Sequence, residues 1–354
     1  MTLPFGPPVE PMLAKLEHEM PLGEGWRYEP KWDGFRALVF REGADVHIQS
    51  RDGRPLHRFF PELVPALAEA FPPGCVVDGE IVIAGPDGLE FDRLQLRLHP
   101  AESRIRKLAA EIPASFVAFD LLAQDDADLR SEPFDARRAL LESLVGAEAV
   151  ATALPVGATA VLITPRTDDP EVAAAWFEGL EALGLDGVVA KRADQRYVPG
   201  KREMVKVKHR RTADCVVVGY RLSKTGDGVG SLLLGVYDER DRLHFVGHTS
   251  AFKAAERREI LELVRPLATT MEAALEAALG PEAKDVDPAR MAGGQSRWSR
   301  GREAEFVPLE PVLVVEVTYD HLQGDRFRHA AGFVRWRTDK APRDCRFDQL
   351  GSRP

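Results

Sequence analysis

Glu29-Pro30-Lys31-Trp32-Asp33-Gly34-Phe35-Arg36 is the stretch on which the reading of the chain turns. A lysine is followed two residues later by Asp-Gly and then by an arginine. A primary amine so placed can attack the α-phosphate of a nucleotide and hold the nucleoside monophosphate as a phosphoramidate, which is covalent catalysis by an activated lysine. Taken alone, K-x-D-G is a short pattern, and Asp33-Gly34 reads equally well as a turn dipeptide. The lysine makes demands that the rest of the chain must meet. It has to lose a proton although its free pKa is about 10.4. The triphosphate must be neutralised and its pyrophosphate held in line. The base needs an apolar face, and a metal needs carboxylates.

Residues of these kinds follow in order, at the ends of strand-like runs. Ser50-Arg51-Asp52-Gly53 comes first, then Asp78-Gly79-Glu80, then Phe119-Asp120 in an apolar run. Asp186-Gly187-Val188-Val189-Ala190-Lys191 opens another run, and Lys206-Val207-Lys208 alternates so that both lysines face one side. Arg335-Trp336-Arg337-Thr338-Asp339-Lys340 is last. Each has a bland alternative: Phe119 as core packing, Glu80 as a turn acid, Lys206 and Lys208 as guards of an edge strand, Arg337–Lys340 as a surface turn. These alternatives would all have to hold together, in this order.

Composition narrows the classes. The 354 residues allow two domains, and 44% hydrophobic with 29% charged residues is ordinary for a globular chain. Three cysteines, Cys75, Cys215 and Cys345, lie far apart and form neither a C-x-x-C pair nor a disulfide framework, which suits a reducing cytosol. The nine histidines show no H-E-x-x-H or H-x₃₋₅-H spacing, which argues against a zinc enzyme. Met1–Glu10 has neither a basic nor an apolar leader region, and no run reaches the length of a membrane span, so the expectation is a cytoplasmic protein with no membrane partner. A net charge of −9 speaks against a polyanionic partner, but its distribution speaks for one. Lys201, Arg202, Lys206, Lys208, Arg210 and Arg211 crowd together around a single acid, Glu203, and Arg335, Arg337, Lys340, Arg343 and Arg346 make a second basic stretch.

Strand-like and helix-like runs alternate through the first half. Arg36–Phe40 and Val46–Gln49 predict a hairpin around Glu42-Gly43-Ala44-Asp45, and Cys75–Ala84 a strand interrupted at Asp78-Gly79-Glu80. Phe116–Ala123 reads as a buried strand; Phe60–Phe71, Pro133–Val145 and Pro170–Leu183 read as helices. From Val216 onward the texture changes to short strands, Val216–Leu222, Leu232–Tyr237, Leu243–Gly247, Val312–Tyr319 and Phe333–Arg337, with helices at Phe252–Leu267 and Met271–Glu282 and a loop over Pro288–Arg302. Five strands with a helix among them predict a small β-barrel of the OB-fold type. The expected boundary lies in Lys208–Asp214, giving domains 1–209 and 210–354. Gly226-Asp227-Gly228-Val229-Gly230 lacks the Lys-Ser/Thr of a phosphate loop and reads as a glycine-rich hairpin. Arg297-Trp298-Ser299-Arg300 is a candidate DNA contact.

The ordered series resembles the signature motifs of the covalent nucleotidyltransferases, namely DNA ligases, RNA ligases and mRNA capping enzymes. Its spacing, and the tryptophan after Lys31, look like an ATP-dependent DNA ligase, most nearly the small stand-alone bacterial C-type ligases. The likeness runs from about Glu10 to the C-terminus. It implies an α/β (α+β) nucleotidyltransferase domain followed by a β-barrel OB-fold domain. It also implies roles: Lys31 as the adenylated nucleophile, Glu29 against the adenine amino group, and Phe119 stacked on the base. Arg36 and Arg51 would be phosphate and ribose contacts. Glu80 would be a ribose or metal carboxylate and Asp186 the metal-binding acid, one methylene shorter than the glutamate of many ligases. Lys206 and Lys208 would neutralise the α-phosphate and, with the metal, lower the pKa of Lys31. Lys191 and Arg202 complete the nucleotide-binding set, and Arg337, Asp339 and Lys340 would orient the departing pyrophosphate from the OB domain, which must close over ATP and then swing away at a Lys208–Asp214 hinge.

The implied reaction uses ATP with Mg²⁺, or Mn²⁺ in its place, to seal nicked duplex DNA in repair. A monomer, associated with the nucleoid and assisted by a repair polymerase, is the expected state. An RNA or other polynucleotide ligase, and a non-catalytic nucleic-acid-binding OB protein, are the alternatives.

Overall fold

The computed structural model describes residues 3–146, 149–180, 183–209, 211–279, 306–320 and 322–350. The chain divides into two compact units, Met1–His209 and Arg210–Pro354.

The first unit is built on two sheets. The larger has the strand order Val161–Ile163, Ser115–Gln124, Cys75–Val82, Phe35–Glu42, Asp45–Ser50, antiparallel except for the parallel pair at Val161–Ile163. Alternation along these strands sends side chains to opposite faces. On one face Val39, Ile48, Val77, Ile81 and Phe116 bury against Leu63 and Leu67 of the helix Leu63–Ala70 and Leu141 of the helix Phe134–Val145. On the other, Leu38, Phe40, Val76 and Leu122 pack with Met12, Tyr197 and Met204, which belong to the second sheet and its approaches. That smaller sheet has the order Leu13–Glu17, Arg202–Val207, Val188–Arg192, Trp26–Pro30, with only the first pair parallel. Outside it lies the helix Pro170–Gly179, started by Asp169, whose side chain accepts from the Glu171 amide, and by Pro170 at the first helical position.

Several boundaries differ from the sequence reading. Cys75–Val82 runs through Asp78-Gly79-Glu80 without a break. Strands pair on both sides of it, with Glu80 opposite Arg36 and Asp78 opposite Leu38. Asp78 is fully buried and tied to Arg36 and Tyr197, so it cannot turn out to solvent. The helix expected to reach Leu183 stops at Gly179, where the amides of Leu183 and Leu185 both turn back to the Leu180 carbonyl. Strands Leu13–Glu17 and Trp26–Pro30 and helices Phe91–Leu96 and Glu102–Glu111 carry too few periodic positions to be marked from sequence.

The second unit is an antiparallel sheet ordered Leu243–Thr249, Val229–Tyr237, Arg211–Leu222, Val314–Tyr319, Gly332–Trp336. Its central strand starts earlier than Val216. Arg211–Val216 pairs with Val314–Tyr319, and Val216–Leu222 with Val229–Tyr237. Register shifts at Val217/Gly219 and Arg221/Leu222 let one strand bend across both partners. The two edges of the sheet meet at one bridge, Thr249 with Ala331, closed by an Ala331 N to His248 O bond of 2.8 Å. The expected barrel is therefore an OB sheet that curls without a continuous closing ladder among the described residues. The helix Ala254–Val264 covers its core through Ile260, Leu261 and Val264. Gly226–Gly230 lies at the hairpin that joins Arg211–Leu222 to Val229–Tyr237, where Ser223 N bonds Gly228 O at 2.8 Å. Met271–Glu282 is helical as far as Leu279; the rest of it, Pro288–Arg302 and Arg297–Arg300 lie outside the described residues.

Buried charge in the first unit is paired. Arg137 and Asp120, 0% and 2% exposed, are joined by two bonds of 2.8 Å, and Arg137 also donates to the carbonyls of Glu132 and Gln195. Replacing Asp120 by Ala strands a guanidinium in the core. It should cost about 3–5 kcal/mol of unfolding free energy, measurable by urea denaturation; a loss under about 1 kcal/mol would contradict the assignment.

Candidate active site

Lys31 follows directly on the Trp26–Pro30 strand. Its amide donates to Gly187 O at 2.8 Å, and the Asp186 amide donates to Lys31 O at 2.9 Å. This two-bond clasp sets the side chains against each other. Lys31 Nζ lies 2.7 Å from Asp186 Oδ2, and Lys208 Nζ lies 2.5 Å from the same oxygen. Two glycines let flanking backbone lie close to the site. A Cβ on Gly34 would sit 2.2 Å from Ile81 O, and one on Gly187, at φ +125°, would sit 2.0 Å from Val207 O. Neither glycine is there for an ordinary turn.

A cavity of about 240 Å³ in the first unit brings together Glu29, Lys31, Arg36, Arg51, Glu80, Phe119, Lys191, Arg202, Lys206 and Lys208, with Trp32 and the apolar side chains of Leu13, Val189 and Met204. An apolar pocket in the second unit, lined by Phe245, Met271 and Leu275 among others, measures about 60 Å³ and holds no comparable charge. Arg202, Met204, Lys206 and Lys208 all line the larger cavity because alternate residues along that strand and just past its end share a face. Phe119 is half-buried in a strand whose flanking residues are buried, and its ring is approached by Arg36 and by Lys191 Nζ, each 4.9 Å from the centroid.

Charges around the cavity are fixed by ion pairs. Glu29, 3% exposed, gives Oε1 to Arg138 Nη1 at 3.0 Å and Oε2 to Lys191 Nζ at 2.6 Å. Arg36 grips Asp78 with two bonds, 2.7 and 2.6 Å, and reaches Met12 O at 3.0 Å. Tyr197 Oη donates to Asp78 at 2.7 Å and accepts from the Met12 amide at 3.0 Å. Sequence reading missed Arg138, Asp78 and Tyr197. The available signal for Arg138 was an Arg-Arg pair inside a helix of otherwise apolar face.

Burial pushes the Glu80 carboxyl up to about 7, against the pull of Lys31 and Arg36. Burial also lowers Lys206, helped by Lys208 and Lys31. Lys31 goes the other way. Burial alone would lower it, but Asp186, with Glu80 and Asp33 beyond, outweighs burial and holds the ammonium above its ordinary value. The lowering expected from Lys206, Lys208 and a bound metal would have to overcome this hold of Asp186 on Lys31.

Arg337, Asp339 and Lys340 belong to the second unit. Arg337 donates Nε and Nη2 to Asp339, both at 2.9 Å, and Nη1 to Asp214 at 2.9 and 3.0 Å; Lys340 Nζ lies 2.8 Å from Asp214 Oδ2. The Arg337 bonds hold the Asp339 carboxyl down at about 2. Among the described residues no group of three or more His, Cys, Asp or Glu could hold a metal by itself. Magnesium does not require such a cage, since it is commonly held by one or two carboxylates with substrate phosphates and water. Glu80 on the cavity wall and Asp186 beside Lys31 fit that donor set.

Residues 11–208 match the family described as ATP dependent DNA ligase domain, and residues 225–340 the ATP dependent DNA ligase C terminal region. DNA ligase C2 of Mycolicibacterium smegmatis is 50% identical, over 100% of this chain and 97% of that protein. DNA ligase C of Mycobacterium tuberculosis is 49% identical, over 99% and 96%. A Mycobacterium tuberculosis protein named multifunctional non-homologous end joining DNA repair protein LigD is 31% identical over 90% of this chain and 37% of its own length. A solved Lig E DNA ligase, 19% identical over 92% of this chain and 99% of its own, superposes with a TM-score of 0.55 and so shares the fold.

The Glu80 carboxyl gives the site a pH signature. Being raised to about 7, it takes up a proton as pH falls through neutrality. Loading of labelled nucleotide onto the wild-type protein should fall across that range, and Glu80→Gln should be slow with no such fall. Identical pH profiles for the two would remove Glu80 from the reaction.

Proposed function

The chain belongs to the ATP-dependent DNA ligase family, and from that premise we propose that Lys31 takes AMP from ATP before the nucleotide passes to a nick. It is an ATP-dependent DNA ligase, with nucleic acid as its substrate. The observation that carries the role of Lys31 is its place on the wall of a cavity lined by cations, the carboxylates of Glu29 and Glu80 and the rings of Trp32 and Phe119.

Lys31 passes a proton to solvent by way of Asp186, 2.7 Å away, and its freed Nζ attacks the α-phosphorus as the bond to the bridging oxygen breaks and pyrophosphate leaves; Lys206 and Lys208 neutralise the charge on the α-phosphate. Phe119 offers its ring to the base, while Glu29, held by Arg138 and Lys191, faces the adenine amino group. Arg36, kept in place by Asp78, and the exposed Arg51 and Arg202 take ribose and phosphate oxygens. Glu80 and Asp186 would hold Mg²⁺, or Mn²⁺ in its place, which would add positive charge against the triphosphate. Arg337 and Lys340 receive the departing pyrophosphate, with Asp339 orienting Arg337. AMP then moves to the 5′-phosphate at the nick, and the 3′-hydroxyl displaces it to seal the strand. Positioning and charge neutralisation supply most of the acceleration.

The setting is also a proposal: a monomer acting in DNA repair at the nucleoid, with a repair polymerase as partner. The name of the repair-protein relative supports the repair part of this setting alone.

Incubation with labelled ATP and Mg²⁺ should give a covalent adduct that chases onto nicked DNA, and Lys31→Ala should form none. An adduct on Lys31→Ala would overturn the assignment, and preferential sealing of nicked RNA would make the enzyme an RNA ligase. Arg337→Ala should slow self-adenylation on the order of 10²-fold, the cost of losing one charge-stabilising donor, while sparing pre-adenylated nicks. Equal loss in both steps would exclude a pyrophosphate role.

A further inference from the structure

Arg337 and Lys340 do not stand open. One carboxylate, Asp214 Oδ1 and Oδ2, takes Arg337 Nη1 at 2.9 and 3.0 Å and Lys340 Nζ at 2.8 Å. The side chains are largely enclosed, with Asp214 12%, Arg337 19% and Lys340 25% exposed. Contact with Asp214 raises the Lys340 ammonium above its ordinary value. Asp214 is itself held by Gln349, which accepts from its amide at 2.8 Å and donates to its carbonyl at 3.0 Å. Across the strand pair its neighbour is Glu316, which is taken by Arg335 at 2.6 Å. Asp339 occupies Nε and Nη2 of Arg337, so the exchangeable donors of the pair are those that Asp214 holds.

We propose that Asp214 stands in for pyrophosphate on Arg337 and Lys340, so that the β- and γ-phosphates of ATP must displace it to reach them. The inference rests on the reading of Arg337 and Lys340 as pyrophosphate contacts. A single-charged carboxylate is a weak rival for a polyphosphate with several charges, so ATP and pyrophosphate can displace it. It still returns to the cations as pyrophosphate leaves, which weakens the product's hold and disfavours the reverse reaction. Asp214 acts through the two cations and is a positioning residue.

The test uses the full chain with Asp214→Asn, which keeps size and removes charge. Two constants are read: the KM for ATP in self-adenylation, and the half-saturating pyrophosphate concentration for discharge of AMP from the preformed lysine adduct. Both should fall roughly two- to fivefold, the span of a screened ion pair, and the gain should shrink with added salt. A merely structural residue, once replaced, would not tighten binding. Constants that rise or stay put overturn the proposal, a rise meaning that Asp214 only preorganises the cations. Arg337→Ala is run beside it. If that change leaves the pyrophosphate constant unmoved, the reading of Arg337 has failed; if it raises the constant while Asp214→Asn does not lower it, the proposal alone has failed. Should Asp214→Asn not fold, Asp214→Ser decides in the same assay.

Discussion

The clasp between Lys31 and the Asp186-Gly187 corner is the constraint on which the rest of the site depends. Two backbone bonds join them, and the side chains follow. Lys31 follows one strand of the small sheet and Asp186 precedes the next, so the pairing of Trp26–Pro30 with Val188–Arg192 continues one step beyond the ladder. The lysine thereby becomes part of the sheet's framework. Gly187 allows the corner to lie against Val207 O, which brings Lys208 onto the same carboxylate.

Around that corner, polar groups are buried only in company. Asp78, Glu29 and Asp120 are each less than 4% exposed, and each meets an arginine: Arg36, Arg138 and Arg137. A lone charge in such surroundings would cost several kcal/mol, whereas a paired and hydrogen-bonded one is tolerated. Such pairs add little net stability, but they fix rotamers. Arg36 cannot wander from the cavity while Asp78 and Met12 O hold three of its bonds. Rigid side chains are what a reaction driven by positioning requires.

Sequence carried the site better than it carried the fold's edges. Lys31, Glu80, Phe119, Lys206 and Lys208 were visible as an ordered series, and the cavity gathers them. Residues that act through other residues were silent. Asp78 was read only as part of an interruption in a strand, and Arg138 and Tyr197 drew no reading at all. What these three do depends on partners 42, 109 and 119 positions away. No local period reports such distances. Strand ends were misplaced for a related reason: Cys75–Val82 is continuous because strands pair on both of its sides, and pairing is a long-range property. The direction of the Lys31 shift was also beyond reach, since it turns on Asp186 outweighing burial.

Both units store cations on a carboxylate. In the first, Asp186 holds Lys31 and Lys208; in the second, Asp214 holds Arg337 and Lys340. Neither arrangement suits a residue that must stay permanently free, and both are what the proposed phosphate contacts would need, a partner that can be exchanged. Leaving such cations bare would set like charges side by side, Lys31 near Lys206 and Lys208, and Arg337 near Lys340, with mutual repulsion and a dry, unsatisfied guanidinium. A carboxylate removes that cost without matching the charge of a triphosphate. The exchange from carboxylate to phosphate then carries little reorganisation energy, because the cations are already aligned on an anion of similar oxygen spacing. If the proposed contacts hold, Asp186 and Asp214 are as much a part of the chemistry as the lysines and arginines they hold.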